Sequence, residues 1–190
     1  GYIAYTFALG GISIWMPSFL VRVHGMTQAA ATTKLGAILL GTGFVGTFAG
    51  GWAADAIAKR TRQANLWVSG VTMLAAVPLA LWALVTPSLS TFWVVVIAAE
   101  LLLFASTGPI NAAIVSEVAP ALRAAAMALS ILCIHLFGDA ISPTLIGFIS
   151  DRDTLSHAVL IIPAAVLLSG VIWTYAASVG GLGVSDKARH

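Results

Sequence analysis

RAAAMALSILCIHLFGDAISPTLIGFISD, residues Arg123 to Asp151, sets His135 and Asp139 in the middle of an otherwise apolar stretch. The stretch is long enough to cross a bilayer. An ionisable group at mid-depth there costs about 3 kcal/mol on insertion scales, so such groups are expected to face a bundle interior or a water-filled path. Spacing four makes the two residues neighbours on one helical face. An imidazole beside a carboxylate holds or passes a proton near neutral pH, or contacts a polar head group, and either role suits a transport site. The structural alternative is a buried pair that only fixes helix packing.

Working outward, the same apolar character fills the chain. Of 190 residues, 59% are hydrophobic and 8% charged, against roughly 25% charged in an ordinary soluble domain. Most soluble folds are excluded, and an all-α membrane protein of six transmembrane helices accounts for the composition. The net charge of +2 comes from loop lysines and arginines, with no pattern for binding nucleic acid. Cys133 is the only cysteine, which rules out an intramolecular disulfide and a zinc cluster, so no metal or cofactor is expected. The P-loop, HExxH and GxSxG patterns are missing, and neither Ser69 nor Ser130 sits in a nucleophile setting, so no enzyme is expected. The first apolar segment is not read as a signal peptide. Gly1 in place of an initiator methionine leads to the expectation of a fragment.

The first span is Gly1 to Val23, with Tyr2 and Tyr5 near one end, Arg22 and His24 at the other, and Pro17 expected to bend it. The second, about Thr32 to Ala58, carries Gly36, Gly41, Gly43, Gly46, Gly50 and Gly51. Gly46 and Gly50 form a GxxxG pair that lets another helix approach backbone to backbone. It ends in GGWAADAIAKRTR, where Gly51 and Asp55 precede the most basic loop, with Lys59, Arg60 and Arg62. The third span, about Asn65 to Leu84, has Trp67 and Trp82 near its ends. The fourth, about Phe92 to Val115, places Glu100, Phe104, Thr107 and Asn111 at helical spacing and is expected to show one partly polar face. The fifth is Arg123 to Asp151, which Pro143 is expected to bend past Asp139. The sixth, about Ala158 to Val179, holds Pro163 and Trp173. Residues 1–181 are expected to form one bundle and 182–190 a short cytoplasmic tail.

Six spans put both chain ends on one side. Loops and tail on that side hold Lys59, Arg60, Arg62, Arg123, Lys187 and Arg189, against Arg22, Lys34 and Arg152 opposite, which makes both ends cytoplasmic by the positive-inside rule. The second and fifth spans close alike, with Gly51-x-x-x-Asp55 and Gly147-x-x-x-Asp151, and end on opposite faces. Two inverted three-helix repeats are the construction of one half of a major facilitator fold. At 1.5 Å per residue, Glu100 lies about 12 Å and His135 about 17 Å deep from opposite faces, nearly the same level in a core of roughly 30 Å. Glu100, His135 and Asp139 are therefore expected to approach a shared central cavity.

On these residues the chain resembles the major facilitator superfamily and, more narrowly, its spinster-like lipid transporters. HLFGDAISPTLIGFISD, His135 to Asp151, is similar to the fifth helix of the spinster C-terminal half. SIWMPSFL, Ser13 to Leu20, resembles the family's seventh helix. GGWAADAIAKRTR resembles the superfamily's cytoplasmic loop motif but has Ala58 where glycine is usual.

The resemblance implies a C-terminal six-helix half that works by alternating access against an N-terminal six-helix half, where the family's proton-sensing carboxylates largely lie. It implies His135 as a cavity residue with Asp139 and Ser142 as neighbours, and Gly51, Asp55, Lys59 and Arg60 in the gating loop. The implied cargo is a lysophospholipid or sphingoid lipid, with protons and membrane lipids as further partners and an inner membrane as the location. Glu100, Thr107 and Asn111 complete the candidate substrate-binding or proton-coupling set. The alternatives are an exporter of other small amphipathic molecules, or a noncatalytic six-span scaffold subunit.

Overall fold

A computed structural model describes residues 1–187, so the tail residues 188–190, Arg189 included, lie outside the described residues. The described residues form helices and turns without a strand. The helices are α1 (Tyr2–His24), α2 (Gln28–Ala58), α3 (Ala64–Val85), α4 (Leu89–Ala105), α5 (Thr107–Ser116), α6 (Arg123–Ile134), α7 (Ser142–Ser150), α8 (Leu155–Ala158) and α9 (Ile161–Lys187). They make six spans: α1, α2, α3, then Leu89–Ser116, Pro120–Ser150 and Leu155–Gly180, each long and apolar enough to cross a membrane.

The turns between spans follow from local chemistry. Gly25 ends α1 in the left-handed conformation, φ 66°, and its N–H donates to the Leu20 carbonyl. That backbone is cheap for glycine and strained for other residues. Two residues on, the Thr27 hydroxyl caps α2 by accepting from Ala30 N, and Ser88 and Thr154 cap α4 and α8 in the same way. Each such cap contributes about 1 kcal/mol.

Three spans are interrupted, the fifth near Pro143 as expected and the fourth and sixth without having been expected to be, and each interruption lies within about a turn before a proline. Pro109 cannot donate to the Ala105 carbonyl, and the chain parts α4 from α5 at Ser106, whose hydroxyl donates back to Leu103 O at 2.6 Å. Pro143 cannot donate to the Asp139 carbonyl; a turn of π-helix, His135–Asp139, precedes it. Pro163 cannot donate to Val159, and the sixth span opens as the separate turn α8 before α9. In each case the missing N–H and the ring's clash with the fourth residue back favour the break. Pro17, by contrast, is accommodated inside an unbroken and buried stretch of α1.

Packing follows the two triplets. The third span lies against the sixth and fourth, the first against the sixth and fifth, and the second against the fourth. Exchanging first with fourth, second with fifth and third with sixth maps this set of contacts onto itself, as two equivalent three-helix units require. The GxxxG face of α2 meets the break in the fourth span. A Cβ on Gly46 would lie 2.7 Å from the Leu101 carbonyl, and one on Gly50 would run into the carbonyl of Ala105, the group Pro109 leaves free. Tyr5, Phe19, Leu20, Leu35, Met73, Phe92, Leu103 and Ile146 fill the core. Leu40, Phe44, Phe48 and Trp52 stand exposed along one side of α2. Such a stripe is at home against hydrocarbon or another apolar helix and out of place in water.

Candidate functional site

The π-turn at His135–Asp139 positions the site. Ala140 N bonds the His135 carbonyl at 3.1 Å across five residues, the wider loop of a π-turn, and such turns recur at functional sites. Gly138 seats the turn on α1: a Cβ there would lie 3.1 Å from the Ile3 carbonyl and from Thr6. Trp15 fixes the far side by donating from Nε1 to the Pro143 carbonyl at 2.9 Å.

Held in this way, His135 Nδ1 lies 2.8 Å from Asp139 Oδ2, with the side chains 61% and 34% exposed. They are neighbours, as spacing four predicts, and they open onto a groove instead of being sealed between helices. The groove encloses about 510 Å³ between the first, fourth and fifth spans. Its polar rim comprises Tyr2, Tyr5, Thr6, Ser13, Thr107, His135 and Asp139, and its apolar wall includes Leu9, Phe104 and Ile134. Tyr5 and Thr107 share a hydroxyl–hydroxyl bond of 2.8 Å, and the Tyr2 hydroxyl donates to Asn111 Oδ1 at 3.3 Å. Asn111 Nδ2 donates in turn to the Thr107 carbonyl.

Glu100 is not part of this set. The expected common cavity with His135 and Asp139 does not form, because sequence gives depth along a helix and not the direction in which a side chain points. Glu100 is 2% exposed, faces Thr42 of α2, and lines a separate cavity of about 40 Å³ among apolar side chains. The single polar face expected for the fourth span is thereby divided at Ser106, with Glu100 on one side and Thr107 and Asn111 on the other. Ser142 is close to Asp139 but fully buried, its hydroxyl without a hydrogen-bond partner and packed where a Cβ on Gly10 would come within 2.6 Å. It does not line the groove.

The basic loop is exposed. α2 continues to Ala58, and Lys59 follows in right-handed helical conformation, so Ala58 occupies a position that does not call for glycine. Asp55, Lys59 and Arg60 are exposed, and among the described residues none makes an ion pair. Gly51 is in the interior of α2 with open space beside it. Sequence reasoning had noted Tyr2 and Tyr5 only as aromatics near a span end. Their spacing of three was the available signal that both hydroxyls share a face.

No group of three or more metal-ligating side chains occurs among the described residues. The chemistry at hand is hydrogen bonding and proton exchange: the imidazole and carboxylate, two phenols and three hydroxyls beside an apolar wall.

Six spans in two equivalent triplets, with a polar-rimmed groove on one side, define the fold of one half of a major facilitator protein. No family model matches the sequence. The chain is 33% identical over 174 residues to the probable sphingolipid transporter spinster homolog 3 of Arabidopsis thaliana, a match covering 91% of this chain and 34% of that protein. It is 30% identical over 212 residues to the sphingosine-1-phosphate transporter SPNS2 of Mus musculus, covering 98% and 38%. Among solved structures, a bacterial homolog of the human lysosomal transporter spinster, inward-facing and unoccupied, superposes with a TM-score of 0.69 at 22% identity, over 94% of this chain and 44% of that one. That likeness is one of fold. The chain is a homologue of the spinster-like transporters of the major facilitator superfamily, and it spans about a third to two-fifths of the length of these relatives. It is a multi-pass integral membrane protein.

Proposed function

We propose that residues 1–181 act as the C-terminal half of a spinster-like carrier that moves lysophospholipid or sphingoid-type lipids by alternating access. The observation that carries this reading is the groove, where His135, Asp139, Tyr2, Tyr5 and Thr107 line one rim and Leu9, Phe104 and Ile134 an apolar wall. A head group needs polar contacts and an acyl chain does not, so the two kinds of lining suit the two ends of one amphipathic molecule. Asp139 holds His135 by Nδ1, which leaves Nε2 for a head group and fixes the ring's orientation. The pair also offers a place for a proton to accompany the cargo.

Rocking needs a second body. The second and fifth spans, equivalent under the repeat, bury only 22% and 11% of their most apolar stretch, and they are the surfaces an N-terminal six-helix half would cover. In this reading Gly51, Asp55, Lys59 and Arg60 meet that half on the cytoplasmic side, and both ends of the bundle face the cytoplasm of a bacterial inner membrane. The protein acts as a carrier and leaves its cargo chemically unchanged.

The test is uptake of labelled lysolipid and sphingoid lipid by vesicles containing the full-length protein, with and without a pH gradient. His135→Ala should reduce transport at least tenfold without altering expression or thermal stability, because the side chain is largely exposed. Unchanged transport at several pH values would refute the assignment of His135. Movement of a soluble solute alone would favour an exporter of other small molecules, and movement of nothing would favour a scaffold.

A further inference from the structure

Glu100 is the buried carboxyl that the groove leaves unused. Its Oε2 lies 3.0 Å from Thr42 Oγ1, while its Oε1 is shut off from the surface with no hydrogen-bond partner. The side chains around it are Ile12 and Met16 from α1, Ala80 and Ala83 from α3, and Ile162 and Pro163 from α9. None of them titrates. From α2 it meets Thr42 alone as a hydrogen-bonding group, and no cation among the described residues lies within ion-pair distance.

The hydrogens around Thr42 decide the state of the carboxyl. A threonine hydroxyl has one hydrogen. Its shorter contact is to the Ile38 carbonyl at 2.7 Å, the back-bond to the preceding turn that helical threonines commonly make. With that hydrogen directed at Ile38, the contact between Thr42 and Glu100 would bring lone pairs together unless Glu100 supplies a hydrogen. An ionised carboxylate has none. Among apolar walls and without a cation it would also be the most expensive form to bury.

We infer that Glu100 is a proton-binding site of the bundle, separate from the groove, which in this conformation holds its proton as a carboxylic acid donating to Thr42 Oγ1. Giving that proton to water leaves a carboxylate facing the Thr42 oxygen. The threonine hydrogen then turns from Ile38 to the carboxylate, or the carboxylate leaves the pocket for water. Either change acts on the contact between the second and fourth spans, a turn away from where Gly46 meets Leu101. The α2 helix also carries the basic loop, so occupancy of Glu100 by a proton biases the position of the element that ends in Lys59 and Arg60. This deepens the transport reading by assigning a proton site within this chain.

The test is infrared difference spectroscopy of the full-length protein in lipid nanodiscs. At neutral pH the wild type should show the carbonyl stretch of a protonated carboxylic acid, shifted by deuterium exchange. The band should be lost in Glu100→Gln, whose amide still offers Thr42 a donor, and kept in Asp139→Asn. Thr42→Val should move it to higher frequency, and Thr42→Ser should restore it. Spectra of wild type and Glu100→Gln that differ only in the ionised-carboxylate region would overturn the inference. Lipid uptake by the same preparations separates the two readings: a Glu100 band without transport refutes the carrier and keeps the proton site, while transport without the band does the reverse.

Discussion

Tyr5 is buried to 2% exposure, yet its hydroxyl reaches the rim of the groove and pairs with Thr107 at 2.8 Å. Removing one partner of such a pair differs from removing the other. Tyr5→Phe keeps the ring and leaves the more accessible threonine to find water, and it should cost about 1 kcal/mol; Thr107→Val strands a buried phenol and should cost about 2 kcal/mol. Thermal unfolding of both variants in the same detergent checks the order, and a larger loss for Tyr5→Phe would contradict it. The bond joins residues 102 apart, and nothing in the sequence pairs them. His135 and Asp139 were legible because their geometry is set within one helix, where spacing four fixes proximity. Glu100 was legible as a polar group at mid-depth but not as a separate buried site, because its surroundings come from four other helices.

Among elements, the joint between α2 and the fourth span carries the most specific steric requirement. Gly50 touches the Ala105 carbonyl that Pro109 leaves without a helical donor, so a missing side chain and a missing N–H meet at one point. Gly50→Ala should destabilise the bundle by about 1–3 kcal/mol through overpacking. Gly36→Ala and Gly41→Ala, with nothing within 4 Å of the added carbon, should be neutral or stabilise by up to about 1 kcal/mol from helix propensity. Melting temperatures of the three variants test this, and equal losses would mean that the contact is not what makes Gly50 necessary. The spans themselves were legible to within a few residues from hydrophobic length. Their interruptions were less so, since a proline announces a lost hydrogen bond without saying whether the helix is interrupted, as before Pro143, or continues, as at Pro17.

At the scale of the molecule, the question is which faces meet water and which meet oil. The groove side presents Ser13 and His135 in an open depression, whereas Leu40 and Phe44 project from α2 among exposed apolar neighbours. A passage filled with water for part of a transport cycle should admit a charged reagent that hydrocarbon excludes. In a Cys133→Ser background of the full-length protein in membrane vesicles, Ser13→Cys and His135→Cys should react with a charged, membrane-impermeant maleimide added from the side to which the groove opens. Leu40→Cys and Phe44→Cys should react at least tenfold more slowly, whether lipid or a partner helix covers them. Saturating lysolipid should protect the first two positions and leave the others unchanged if the groove is where the proposed cargo's head group sits. Equal labelling at all four positions would remove the distinction between a wet path and a lipid face, and with it the physical reason for an imidazole and a carboxylate to lie halfway across the membrane.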